Sequence, residues 1–326
     1  MSLTIITSLF GSILRGDLRS SVKKEHSNAE HNKGMLAFLV MTFGWAMAVG
    51  LVLAAFGIKL SFFVGIAVLA CLYMPAPAVA ALIVERRIVR ERLAFPTGQD
   101  SRRLLMFFLL PVASVTSAIV LFFAATFVLG NILHTPGVGT LIENIAELKA
   151  NIAHQYGTAL ANSANYPPSI MVMFLVTLLA ALVAGWSING LFALGEEYGW
   201  RGLLWERWKH LGVVPANIAI GMVWGLWHAP LILQGYNYPG HPIAGVFMMM
   251  VFTTSLAFIL SAIRELTQSV LPAAATHGSM NGAAALTVVL TAGANPLVGA
   301  MVGIVGCTCL LLIGAALWMV AKRSPV

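Results

Sequence analysis

The chain has 326 residues, of which 59% are hydrophobic and only 10% are charged. Soluble domains carry about 25% charged residues, so a soluble globular class is excluded and a polytopic membrane protein is expected. The formal net charge is +7. The basic residues flank apolar runs and form no single patch, which points to a bilayer surface as partner and to no nucleic acid.

Residues 1–14 are weakly amphipathic, with Leu3, Ile6, Phe10 and Ile13 at helical spacing, and predict a short interfacial helix. They do not read as a signal peptide, since no basic region precedes the apolar one. Residues 15–33 are polar and mostly basic, and 1–34 together read as a cytoplasmic or interfacial tail. Residues 35–131 hold three spans, at 35–57, 61–84 and 104–129, each near the roughly 20 residues a bilayer needs. Pro75 and Pro77 are expected to kink the second. A basic loop, 85–103, joins it to the third.

Residues 132–168 read as an extracytoplasmic loop. Within it Leu141, Ile145, Leu148 and Ile152 recur at helical spacing and predict an amphipathic helix. Residues 169–326 form the core, with apolar runs at 169–208, 213–233, 244–263, 269–291 and 296–320. At about 1.5 Å per residue the first is too long for one straight perpendicular span. Gly185, Gly190, Gly195 and Gly199 are its natural break points. The predicted fold class is all-α: a polytopic transmembrane helix bundle of about eight spans with both termini cytoplasmic. This topology places 17 of the 19 Lys and Arg residues on one side, which the positive-inside rule makes cytoplasmic. Cys71, Cys307 and Cys309 lie in apolar runs without metal or redox spacing, and read as core or lipid-facing residues.

Few polar groups fall inside the apolar runs. Glu196 and Glu197 follow a stretch, 169–194, that contains no Asp, Glu, Lys or Arg. A charge on an embedded helix costs about 2.5–3.5 kcal/mol on insertion scales. Glu197 and Arg201 are four apart and share a helical face, so they can pair. Glu196 sits about 100° round and is left free. A helix-end salt bridge at the membrane surface would explain this stretch alone equally well.

Further along, Trp224 and His228 are four apart, as are His277 and Asn281. Singly, each pair suits interhelical hydrogen bonding. Together, a free carboxylate, two imidazoles and an amide on three helices are an inventory for activating water and stabilising an oxyanion. There is no HExxH helix and no GxSxG elbow. The only aspartates, Asp17 and Asp100, lie outside the spans, which excludes a membrane aspartyl dyad. Ser279 lies two residues from His277 and so points to another face. No Walker A or dinucleotide fingerprint is present.

The motifs EExxxR, aromatic-xxx-His and HxxxN, in this order on successive helices, resemble the CPBP family over about residues 170–315. That family includes the type II CAAX prenyl proteases and the bacterial Abi-type, bacteriocin-processing and immunity-related membrane proteases. The resemblance implies an intramembrane endopeptidase. Glu196 and His228 would activate the attacking water, and His277 and Asn281 would stabilise the tetrahedral oxyanion. Glu197, Arg201 and Trp224 would support them. Trp224 stands where the family usually has Phe, and the loop before residue 168 is longer than the family suggests. The implied partner is a membrane peptide or protein substrate, lipidated in some members.

No cofactor is expected. The alternative makes Glu196, His228 and His277 three zinc ligands with an open fourth position, although no carboxylate is evident to orient both histidines. Other readings are an inactive scaffold or immunity protein on the same fold, or a proton-coupled transporter. The last lacks the duplicated broken helices such proteins carry. Short loops and the charge bias suit the cell membrane, specifically a prokaryotic plasma membrane. One tension remains in the spacing. Straight helices put Glu196 and His277 about 16 and 14 Å from their cytoplasmic ends, but His228 about 22 Å. The fifth span must therefore tilt or begin later for the three to meet.

Overall fold

In lipid only helices and closed barrels satisfy every backbone group, and the apolar runs, where described, fold mainly as helix. The structure is a computed structural model that describes residues 33–58, 67–85 and 101–323. The predicted interfacial helix at 1–14 and most of the 85–103 loop lie outside the described residues.

Helix α1 is Lys33–Ala55 and α2 is Leu69–Val84. The latter opens with π-winding over Leu69–Tyr73 and restarts at Ala76 after Pro75. Helix α3 is Ser101–Ile132. The amphipathic helix predicted in the loop is α4, Ile145–Tyr156, capped by the Asn144 side chain accepting the Glu147 N–H. A short α5, Thr158–Ser163, follows. The core comprises α6 (Ile170–Gly185), α7 (Ile188–Leu211), α8 (Val213–Trp227), α9 (Pro242–Thr267), α10 (Leu271–Val289) and α11 (Ile304–Arg323). Strands β1 (Thr140–Leu141) and β2 (Thr291–Ala292) pair antiparallel, Thr140 opposite Ala292.

The break expected in the run 169–208 is present at Gly185, and two other boundaries differ from the sequence reading. The run 169–208 is two helices, α6 and α7, bent by 53°. The break follows Gly185, where a Cβ would lie 1.9 Å from Ser279 Oγ on α10, so the chain must be bare to let α10 in. The fifth run ends at Trp227, and His228 caps it before the new turn Ala229–Ile232. The last helix begins only at Ile304. The residues before it turn back on the 137–139 segment, where Asn295 N–H donates to the Gly137 carbonyl at 2.9 Å.

The result is an all-α multi-pass membrane bundle. Four helices (α1, α3, α9 and α11) are long and apolar enough to cross a membrane, and α6–α7 makes a fifth if the bent pair is one span. Helices α2 and α8 are apolar but short. Helix α10 carries His277, Ser279 and Asn281, which make it more polar than a lipid-facing span. Eight spans are therefore not given by length and composition.

Helix α10 sits centrally, against α3, α6, α7 and α9. Its small residues, among them Ala273, Ala274, Ala275 and Gly278, permit the close approach that holds helices together in lipid. Helix α8 meets α9 in the same way. A Cβ on Gly221 would lie 2.3 Å from Thr254 Cα, and Thr253 Oγ1 donates to the Gly221 carbonyl at 2.7 Å. Helix α1 lies over both α7 and α8. Phe38 meets Trp200 edge-on at 5.7 Å, and Gly50 sits against Pro230.

The basic ends of α7 and α9 are tied by ion pairs. Glu206 takes Arg264 at 3.1 Å and Lys209 at 2.8 Å, and Trp205 Nε1 donates to Glu265 at 2.6 Å. Arg207 pairs with Glu85 at the end of α2. At the other end α4 is pinned to α10, where the Asn151 amide donates to the Val289 carbonyl at 3.0 Å.

Because the α8–α9 contact is backbone against backbone, Gly221→Ala should cost about 1–3 kcal/mol, as overpacking does. Thermal unfolding in detergent micelles should show a lowered midpoint, and an unchanged midpoint would contradict this packing.

Candidate active site

The winding of α7 changes at the glutamates. It is α-helical over Ile188–Glu197 and π-helical over Tyr198–Leu204, with all seven of the latter residues buried. Such π-turns add a residue to the turn and are frequent at functional sites. Gly195 and Gly199 bracket the pair and lie against Met74, Pro75 and Pro77 of α2, so α2 shields it closely.

Glu196 is 3% exposed, and Glu197 and Arg201 are 0% exposed. Buried charges persist only when paired and hydrogen-bonded. Glu197 has two partners. Its Oε1 accepts from Arg201 Nη1 at 3.2 Å and from His277 Nδ1 at 2.9 Å, and its Oε2 lies 3.1 Å from the same Arg201 nitrogen. The Arg201 guanidinium also lies over the Trp224 ring, 4.5 Å from its centroid, in cation–π geometry.

Glu196 is turned elsewhere. Trp224 Nε1–H donates to its Oε2 at 2.7 Å. The Trp200 indole faces the same carboxylate without closing a hydrogen bond. His228 caps α8, with Nδ1 2.9 Å from the Trp224 carbonyl. A carbonyl only accepts, so Nδ1 carries the proton and a neutral ring leaves Nε2 as an acceptor. His277 spends Nδ1–H on Glu197, which also leaves its Nε2 unspent.

Trp224 thus joins the predicted residues. It touches Glu196 and His228 directly, and its ring meets that of His277 edge-on at 5.2 Å. The mismatch of depths expected from straight helices is absent, since α7, α8 and α10 converge here. Asn281 stands apart. It lies one turn beyond His277, exposed, with no hydrogen-bond partner among the described residues. Ser279 faces α6 at Gly185, away from the glutamates.

The zinc alternative was tested on the donor set. Among the described residues no three His, Cys, Asp or Glu side chains are arranged to hold a metal ion. A carboxylate orients His277, and a main-chain carbonyl orients His228.

Three aromatic groups had no assigned role in the sequence reading. Tyr73 of α2 donates its hydroxyl to the Trp227 carbonyl and packs on that indole at 4.2 Å. Trp200 faces Glu196. Tyr236, in the turn after α8, also senses Glu196: burial and that carboxylate push its phenol up to about 12, so it stays a protonated donor at neutral pH. A phenol inside an apolar run, as at Tyr73, was the one available signal.

Removing one partner of a buried ion pair costs about 3–5 kcal/mol, because the other charge is left uncompensated. Arg201→Ala should destabilise the protein by that amount in a denaturant titration. Adding Glu197→Leu should recover part of the loss, whereas independent, additive losses would contradict the pairing.

A comparison with curated proteins gave no match. Residues 167–283, the segment that carries all seven candidate site residues, match the family model described as type II CAAX prenyl endopeptidase Rce1-like.

Proposed function

We propose that this protein is a glutamate-dependent intramembrane endopeptidase that hydrolyses a peptide bond of a membrane-associated peptide or protein. The family-model match over residues 167–283 supports the coarse part, a protease of the CAAX type. The observation that supports the finer part is the division of the two glutamates. Glu197 holds Arg201 and His277, while Glu196 has an indole hydrogen bond and no ion pair among the described residues, in a site with two histidines oriented through their Nδ1 atoms.

In this reading a water lies between Glu196 and Nε2 of His228. Glu196 takes a proton as the oxygen attacks the scissile carbonyl, and His228 holds the water in line. The carbonyl oxygen becomes an oxyanion facing the Asn281 amide and Nε2–H of His277, which in this reading is an imidazolium that donates Nδ1–H to Glu197 as well; such donors are worth more in a dry site than in water. Glu197 and Arg201 hold His277 and the helix in place. The proton on Glu196 then passes to the leaving amine as the C–N bond breaks. This leaves a new carboxylate and a new amine. No metal is needed for these steps.

The bundle would sit in a prokaryotic plasma membrane with eight spans and both termini cytoplasmic, a topology that the basic residues on that side support once Arg201, buried in the bundle, is set aside. A lipidated peptide is one substrate class within reach of such a site. The second reading, a scaffold or immunity protein without activity, draws on the exposed and unbonded Asn281.

In proteoliposomes, Glu196→Ala should lower cleavage of a membrane peptide by about 100- to 10,000-fold, the range of a general base. Asn281→Ala should lower it by about 100- to 1000-fold, and a zinc chelator should leave it unchanged. Cleavage that survives Glu196→Ala would sink the mechanism. Wild-type protein inert on a broad membrane-peptide library would favour the scaffold, and chelator loss restored by zinc would return the metal.

A further inference from the structure

The geometry points to Trp224 as the positioning residue of the site: its indole N–H aims the Glu196 carboxylate while its own carbonyl sets the His228 tautomer. This inference rests on the proteolytic reading and deepens it. Among the described residues, Trp224 holds a hydrogen bond to Glu196 and one to His228. Nε1–H donates to Glu196 Oε2 at 2.7 Å, and the carbonyl four residues before His228 accepts from its Nδ1 at 2.9 Å. The ring is 1% exposed. It is fixed on one side by the Arg201 guanidinium at 4.5 Å and on another by the His277 ring edge at 5.2 Å.

The consequence is mechanical coupling between base and histidine. The carbonyl is fixed by the α8 backbone, and the indole is fixed by its packing, so Glu196 and His228 keep one relative placement. A carboxylate without this donor would be free to swing toward Arg201, which has Nε and Nη2 without partners among the described residues. There it would form a second ion pair and lose its role as base. The indole N–H holds it out of that competing pair. Phenylalanine at 224 would keep the ring over Arg201 but supply no donor, so ring packing and carboxylate aiming are separable by substitution.

The test compares wild type, Trp224→Phe, Glu196→Gln and the double variant, each as the full chain in nanodiscs. Hydrogen bonds to charged groups are worth enough to lower kcat by about 10- to 100-fold when one is lost. Trp224→Phe should therefore lower kcat in that range with KM and thermal midpoint little changed, and the double variant should be no slower than Glu196→Gln alone. Wild-type kcat in Trp224→Phe, or a loss matched by a smaller folded fraction, would overturn the assignment.

A readout independent of turnover is the Trp224 indole proton in a 15N-indole spectrum of the otherwise native chain. It should resonate downfield and move upfield in Glu196→Leu. An unmoved resonance would overturn the contact itself, whereas absence of cleavage by wild type with the shift present would fail the proteolytic reading alone.

Discussion

Two adjacent carboxylates and a guanidinium, all without solvent, must be neutralised inside a bundle made for lipid. Every notable feature of the core answers to that constraint. Glu197 meets it with an ion pair and an imidazole. Arg201 adds the face of an indole. Among the described residues Glu196 has one indole donor as its hydrogen bond and no ion pair, which is why the proposed mechanism assigns it the base. Isolated charges of this kind are unstable in a low dielectric, and the buried Trp224 answers two of them, with its N–H on Glu196 and its face under Arg201. An indole supplies an N–H where one is needed and hydrocarbon elsewhere.

The surrounding helices are shaped to the same end. Gly195 and Gly199 admit the proline turn of α2, and Gly185 admits α10, which brings His277 over Glu197. The π-winding of α7 begins immediately after the glutamates. These features act together: a Cβ at the glycines would push away the helices that carry the ligands of the charges. The ion-pair cluster around Glu206 and the α4 contact with α10 fix the two ends of the bundle, leaving the chemistry in the middle.

Much of this was legible in the residues. The i,i+4 relation of Glu197 and Arg201 predicts their pairing, and the structure has it. The amphipathic repeat at Leu141, Ile145, Leu148 and Ile152 predicts a helix, and α4 occupies most of it. Chain periodicity could not show that His277 would share Glu197, because that contact joins residues 80 apart through helix packing. Nor could it show the Trp224–Glu196 bond, which depends on side-chain direction across α7 and α8. The late start of α11 arises from a long-range turn onto Gly137, invisible to a count of apolar residues. The exposure of Asn281 likewise follows from how α10 is rotated, which spacing alone leaves open.

The central claim is that a free water, activated beside Glu196, attacks the scissile carbonyl directly. It is tested most directly by a single turnover in 18O-water, with intact-protein mass spectrometry of the quenched mixture. The account predicts one 18O atom in the new C-terminal carboxylate and an enzyme of unaltered mass at every time point. An acyl-enzyme mass during turnover, or a product carboxylate without 18O, would contradict it.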